Sequence, residues 1–178
     1  MALSAFRASK AFAILALLIT TISNAETRQS KDWHWDTDSK RFLYAATVNG
    51  DAQSFGQYCY LDSKNCVYLL NTKINCQTDT KLTALINSDQ GAKDVELICR
   101  KTNRGDSVFV VTPFDHMDFI VRQASYFGIA IPLSNKGFQV SHFSLVGSIY
   151  AIELMRTATE KIIEIQEGSE VAPDELML

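Results

Sequence analysis

The 178-residue chain has few residues that interrupt regular structure: 8 glycines and 3 prolines. That scarcity excludes collagen-like and low-complexity architectures. With 47% apolar and 21% charged residues, the composition is typical of a globular protein and not of a disordered one.

Motifs for common enzyme and cofactor chemistry are also missing. The sequence contains no G-x-S-x-G, H-E-x-x-H, P-loop or G-x-G-x-x-G pattern. The acidic and histidine residues of the segment 115–118 do not share one face of a helix, so we interpret them as an ordinary helix N-terminus. The sequence therefore predicts no catalytic residue, no cofactor and no metal ligand. A serine- or carboxylate-based hydrolase site stays open, because such residues converge in space and not in sequence.

The first 25 residues have the features of a secretory signal peptide. Arg7 and Lys10 precede an apolar run over residues 11–22, and Ser23 and Ala25 are small residues at the −3 and −1 positions of a cleavage site. The run is shorter than the roughly 20 apolar residues that a membrane-spanning helix needs. We therefore expect a periplasmic or secreted protein that begins at Glu26, with no membrane span after cleavage.

The remaining chain is the size of one domain, which we place at residues 26–167, followed by a flexible acidic tail over 168–178. Cleavage would remove two basic residues, Arg7 and Lys10, from the 17 basic and 20 acidic residues of the chain, and would leave a net charge of −5. An acidic domain without a basic cluster is a poor partner for nucleic acid. We expect an unidentified protein or envelope component as the partner.

Four cysteines predict two disulfides in an exported chain: Cys59, Cys66, Cys76 and Cys99. Their spacing lacks the close pairs of a zinc site. Three pairings are possible. Cys59 and Cys66 flank a polar turn, and Cys76 and Cys99 flank a second hairpin, so we favour Cys59–Cys66 and Cys76–Cys99.

Alternation of apolar and polar residues predicts strands through most of the chain. The predicted strands cover residues 33–36, 41–49, 51–61, 66–70, 82–86, 95–99, 107–111, 126–133 and 138–145. One face of the second strand carries Phe42, Tyr44, Ala46 and Val48.

Asn49-Gly50 is the strongest hairpin pattern, because a type I′ turn needs positive φ at both positions. A two-residue loop there would place Tyr44 opposite Phe55 and Leu43 opposite Gly56. A later turn contains Arg104-Gly105-Asp106, which matches an integrin-binding tripeptide. Glycine and aspartate are also ordinary turn residues, and we favour that interpretation.

Trp33 and Trp35 share one face of the first strand and are the candidate binding surface. Two interpretations are open for them. They form an exposed aromatic platform for a ligand, or they cover the edge of the core, which is the more common position of large aromatic residues.

Helical spacing of apolar residues predicts a short helix over residues 113–125, with Asp115 as a possible cap, and a longer one that begins near Gly147 and is ended by Gly168. The apolar stripe of the longer helix consists of Ala151, Met155, Ala158, Ile162 and Ile165. The predicted fold is mainly β, of the α+β class: an antiparallel meander or sandwich with both helices packed on it.

Residues 143–155, FSLVGSIYAIELM, resemble the C-terminal strand-to-helix segment of the invasion-associated locus B family of exported bacterial proteins. Residues 128–133, GIAIPL, are compatible with that pattern. The resemblance implies a periplasmic, largely β protein without an established catalytic site, and it carries over no functional residue. The sequence thus favours an exported, disulfide-stabilised, non-catalytic binding or accessory protein. The alternative is a small exported hydrolase.

Overall fold

The computed structural model describes residues 28–170, with side chains up to residue 168. The predicted signal peptide and nearly all of the predicted acidic tail lie outside the described residues. The strands are β1 (Gln29–Ser30), β2 (Trp33–Asp36), β3 (Phe42–Val48), β4 (Ser54–Tyr60), β5 (Asn65–Asn71), β6 (Lys81–Ser88), β7 (Gly91–Lys101), β8 (Ser107–Thr112), β9 (Tyr126–Pro132) and β10 (Phe138–Ser144), and the helices are α1 (Phe114–Gln123) and α2 (Ser148–Glu170).

All ten strands form one antiparallel sheet in the order β1-β2-β3-β4-β5-β8-β7-β6-β9-β10. The sheet curls until β10 lies against β3. Among residues 28–170 no ladder joins these two parts of the sheet. Single hydrogen bonds connect the two ends of the sheet: Trp33 Nε1 donates to the Ser144 carbonyl oxygen at 3.0 Å, Asn49 Nδ2 donates to the His142 carbonyl oxygen at 3.2 Å, and the Asp32 backbone N–H donates to the Val146 carbonyl oxygen at 3.3 Å. The predicted fold class is confirmed.

The inner face of the curled sheet contains the core, because alternate residues of each strand point inward. Phe55 lies at its centre, stacked on Tyr68 with ring centroids 5.6 Å apart. The rings of Phe127 and Phe143 approach Phe55 from the opposite side at 4.7 and 5.9 Å. The aromatic contacts therefore join β4 to both β9 and β10 across the interior.

Both helices cover the inner face. Helix α1 packs on β5 and β8, and α2 packs on β1 to β4 and on α1. Ala151 and Met155 are fully buried, as the predicted stripe requires. Two details of the prediction are wrong: Ile165 is 68% exposed, and the helix continues through Gly168 to Glu170. Asp115 does not cap α1, because the position before the helix is Pro113 and no side chain caps it.

Gly147 makes the tight entry into α2 possible. Its φ is +96°, and a Cβ atom there would lie 2.1 Å from the Ser30 carbonyl oxygen. A side chain at this position would therefore clash with backbone as well as strain the dihedral angle. The loop between β10 and α2 can pass close to β1 only with glycine.

The hairpin between β3 and β4 differs from the prediction. Val48 pairs with Ser54, so the loop has five residues and not two, and Tyr44 lies opposite Tyr58. Asn49 Oδ1 accepts hydrogen bonds from the backbone N–H groups of Asp51 and Gln53. These side-chain bonds stabilise a wider turn than the type I′ geometry that we predicted from Asn-Gly.

Both predicted disulfides are present. Cys59 and Cys66 occupy directly paired positions of β4 and β5, with Cα atoms 4.0 Å apart. Cys76 lies in the irregular segment between β5 and β6 and is bonded to Cys99 of β7, with Cα atoms 6.1 Å apart. The second disulfide fastens a segment without regular structure to the sheet.

Candidate functional site

A groove of about 740 Å³ runs along the outer face of the sheet, opposite the helices. Its floor is aliphatic and consists of Val67, Leu69, Val108 and Val110, all half-buried. These residues alternate along β5 and β8 with inward-pointing core residues. Since the helices cover only the inner face, no described element covers these outward aliphatic side chains.

An aromatic wall borders the groove on the side of β3 and β4. Phe42 lies 5.7 Å from both Tyr58 and Tyr60, and Tyr44 stacks on Tyr58 at 5.4 Å. Burial, and after it the neighbouring phenol groups of Tyr44 and Tyr60, raises the pKa of Tyr58 to about 12. The hydroxyl of Tyr58 therefore stays protonated near neutral pH.

The groove ends are basic, although the chain as a whole is acidic. The cationic residues that line it are Arg41, Arg100, Lys101 and Arg104, and Asp106 is the acidic lining residue. Arg100 is ion-paired with Asp79, and Lys101 Nζ donates to Ser107 Oγ at 2.5 Å. Arg41 and Arg104 have no carboxylate within salt-bridge distance in the described part of the chain. Their guanidinium groups are exposed and available to a ligand.

The turn between β7 and β8 forms one end of the groove. Thr102 Oγ1 accepts hydrogen bonds from the backbone N–H groups of Arg104 and Asp106, and Gly105 has a φ of +85°. The positive φ accounts for Gly105 as a turn residue, as we predicted, and the side chain of Thr102 stabilises the turn. The same turn places Arg104 at the groove.

The candidate tryptophans lie elsewhere. Trp33 is fully buried, with its ring 6.2 Å from Phe55, so it belongs to the core and has no surface to offer a ligand. This corrects its assignment to a binding surface. Trp35 is half-buried against Tyr150 of α2, at 5.8 Å. Both residues cover the edge of the core, which was the alternative interpretation.

A second polar cluster lies under the sheet, between the helices. Asp118 accepts hydrogen bonds from Tyr68 Oη at 2.8 Å, Arg122 Nε at 3.0 Å and Arg156 Nη2 at 2.5 Å. Arg156 Nε also donates to Gln57 Oε1 at 2.7 Å. Although burial raises the pKa of Asp118, the bonds from Tyr68 and the two arginines hold it below its ordinary value. Arg122 also pairs with Glu153 at 3.6 Å, so two carboxylates face two guanidinium groups. We interpret the cluster as a structural tie between β4, β5 and the helices.

The three histidines lie on different elements, His34 on β2, His116 on α1 and His142 on β10, and all are exposed. Within residues 28–168 no hydrogen bond joins their rings to a serine hydroxyl or a carboxylate. Over the same residues there is no group of three or more histidine, cysteine, aspartate or glutamate side chains that could hold a metal ion. None of the helices in the described region has the length and apolar character to span a membrane.

Sequence reasoning missed the groove. The alternation in β3 indicates two faces, and both carry apolar residues. The structure turns Leu43 and Ala45 inward and leaves Phe42 and Tyr44 outside. The repeated aromatic residues at positions 42, 44, 58 and 60 were the available signal, but the predicted register placed Tyr44 opposite Phe55 and so concealed the cluster.

No family model matches the chain, and no curated protein sequence matches it. Among solved structures, the crystal structure of invasion associated protein B from Bartonella henselae is similar, with 13% identity over 72% of this chain and 84% of that chain and a TM-score of 0.37. The chain resembles invasion associated protein B. This is the family that the segment 143–155 resembles.

Proposed function

We propose that the protein is an exported, non-catalytic binding protein and that the outer groove is its binding site. One observation carries this proposal. An aliphatic floor, an aromatic wall and guanidinium groups that have no ion-pair partner among the described residues meet on a face that the core does not use. Contiguous apolar surface with a polar rim is typical of interaction sites.

The apolar residues of this face are not explained by folding. The core is complete on the inner face, where Phe55, Leu70 and Phe109 are almost wholly buried. Polar residues at the outward positions would leave that core unchanged. Valine and leucine at positions 67, 69, 108 and 110 therefore support contact with a second molecule.

Arginine at the rim supports the same role. A guanidinium group binds carboxylates through two parallel hydrogen bonds. Because the two guanidinium groups are exposed, they stay hydrated in the free protein and pay little desolvation cost before a ligand binds. On a protein whose net charge is negative, a local basic site also selects its ligand by charge. The ligand of this groove is therefore an anionic one.

The disulfides support export and a rigid site. Disulfides persist in oxidising compartments outside the cytoplasm. Cys59–Cys66 joins the two strands that carry Tyr58, Tyr60 and Val67, and Cys76–Cys99 fixes the end of β7 next to Arg100. A preformed groove loses less conformational entropy on binding than a flexible one.

Affinity capture with a charge-reversed variant tests the proposal. The mature protein is immobilised and exposed to envelope extract beside the double variant Arg41→Glu/Arg104→Glu. A matched control, Lys136→Glu/Lys161→Glu, makes the same change in net charge at exposed positions outside the groove. We expect one ligand to be retained by the native protein and the control and to be lost from the groove variant. Equal retention by all three would contradict the assignment of the groove.

A further inference from the structure

We propose that the groove binds an extended peptide segment of a partner protein, acidic at both ends and apolar in the middle. This inference rests on the proposed binding function and names the chemical class of the ligand. It follows from the length of the groove, from the position of its cations and from the chemistry of its floor.

The groove follows strand β5 along its whole length. Asn65 and Asn71 both line it, and they are the first and last residues of that strand. The six steps between these two residues, at about 3.3 Å each, span about 20 Å. A fully extended peptide of about six residues has the same length.

The cations lie at opposite ends of this span. Strand pairing places Asn65 beside Tyr60 and Tyr60 beside Phe42, the residue that follows Arg41. At the other end, Leu70 of β5 pairs with Phe109 of β8, and the same register places Asn71 beside Val108. Val108 in turn pairs with Arg100 of β7.

Arg104 lies in the turn that precedes Val108, so it belongs to the second end, while Arg41 belongs to the first. The free guanidinium groups are thus separated by the length of the floor. A ligand that satisfies both carries two anionic groups about 20 Å apart. A fatty acid or another amphiphile with a single head group would leave one arginine without a partner.

The floor favours side chains without polar groups. Val67, Leu69 and Val110 offer no hydrogen-bond donor or acceptor from their side chains. Hydroxyl groups of an acidic polysaccharide would lose water there without gaining a partner. Alternate side chains of an extended peptide recur every 7 Å or so, which is also the repeat of the outward residues along β5. Apolar residues at alternate positions of the peptide therefore match the floor.

Fluorescence anisotropy with defined probes tests this inference. The main probe is a labelled ten-residue peptide with two glutamates at each end and alternating valine and threonine between them. Two further peptides keep the glutamates at only one end, and a fourth has lysine in place of every glutamate. Dodecanoate represents an amphiphile with a single head group and polygalacturonate an acidic polysaccharide, and the binding of each is compared with that of the peptides. Buffer at 150 mM salt limits nonspecific charge attraction.

We expect the doubly acidic peptide to bind the native protein and the lysine peptide not to bind. Arg41→Glu and Arg104→Glu should each weaken that binding about tenfold, the effect of losing one charge-assisted contact. The affinity of each singly acidic peptide should be lowered by one of these two substitutions and not by the other. Lys136→Glu should change none of the affinities, and thermal melting of each variant checks that it is folded.

Three results would overturn the peptide assignment. Equal affinity of the native protein and of both arginine variants for the doubly acidic peptide would show that the cations do not anchor it. Failure of every peptide to bind, with envelope capture still sensitive to Arg41→Glu/Arg104→Glu, would reject the peptide and leave the groove as the binding site. Tighter, groove-dependent binding of dodecanoate or polygalacturonate would assign the site to that chemistry instead.

Discussion

The indole Nε1 of Trp33 donates a hydrogen bond to the carbonyl oxygen of Ser144 at 3.0 Å, across 111 positions of sequence. The bond connects β2, near one end of the sheet order, to β10 at the other end. A side chain thereby makes a connection that a strand ladder would make in a closed barrel. The buried tryptophan therefore connects the two ends of the curled sheet.

Replacement of Trp33 should destabilise the fold. We expect Trp33→Phe to lower the free energy of unfolding by about 1–3 kcal/mol, through the lost hydrogen bond and the smaller ring. Trp35→Phe, on the same strand but half-buried, should cost less than about 1 kcal/mol. Urea unfolding of both variants measures the difference. Equal losses would show that Trp33 has no special role in holding the sheet together.

Helix α2 offers a comparison between two isoleucines three residues apart. Ile152 is 2% exposed and Ile149 is 46% exposed. We expect Ile152→Ala to cost about 2–5 kcal/mol, because it leaves a cavity against the sheet. Ile149→Ala should cost about 0.5 kcal/mol or less. If the two variants unfold at the same urea concentration, the orientation of α2 on the sheet is wrong.

The two disulfides should differ in their contribution to stability. Cys76–Cys99 spans 23 positions and Cys59–Cys66 spans 7. On the loop-entropy model the longer loop contributes about 1 kcal/mol more. We therefore expect Cys76→Ala/Cys99→Ala to melt below Cys59→Ala/Cys66→Ala in calorimetry. The reverse order would show that the hairpin disulfide constrains more than its own short loop.

The acid side of the stability profile should depend on Asp118. Its pKa is lower in the folded chain than its ordinary value of 3.8, so its contribution is complete above that pH and is lost as pH falls below it. Asp118→Asn should cost about 1.5–3 kcal/mol at neutral pH, since the bonds to Arg122 and Arg156 lose a charged acceptor.

The same variant should lose less stability than the native protein as pH falls from about 4 to about 2. This is roughly the range in which an aspartate titrates. Asp115→Asn is the control, because Asp115 is exposed on the same helix. Urea midpoints across this range measure both profiles. Parallel profiles for the native protein and Asp118→Asn would contradict a stabilising carboxylate at position 118.

The sequence contained enough information for most of the fold. Period-two alternation indicates strands wherever one face is polar, as in β6, and Cys59 and Cys66 flank a turn that forces them side by side. Strand β3 is apolar on both faces, so alternation alone does not say which face is inside. The register of its hairpin depends on hydrogen bonds from the Asn49 side chain, which the Asn-Gly pattern does not reveal.

The groove depends on strand order and is therefore harder to predict. Its floor forms because β8 pairs with β5, although β6 and β7 lie between them in sequence. That pairing brings Val108 and Val110 beside Leu69 and places the turn of Arg104 at the end of the groove that is farther from Tyr60. No local pattern connects residues 41, 69 and 104, and only the tertiary arrangement makes them one site.

Site-specific photocrosslinking in the producing cells tests the central claim most directly. A photoreactive benzoylphenylalanine replaces Tyr60, inside the groove, or Tyr126, which is 54% exposed on the same sheet outside it. We predict a discrete adduct from position 60 after irradiation and none from position 126. An adduct from position 126 with none from position 60 would contradict the groove as the binding site.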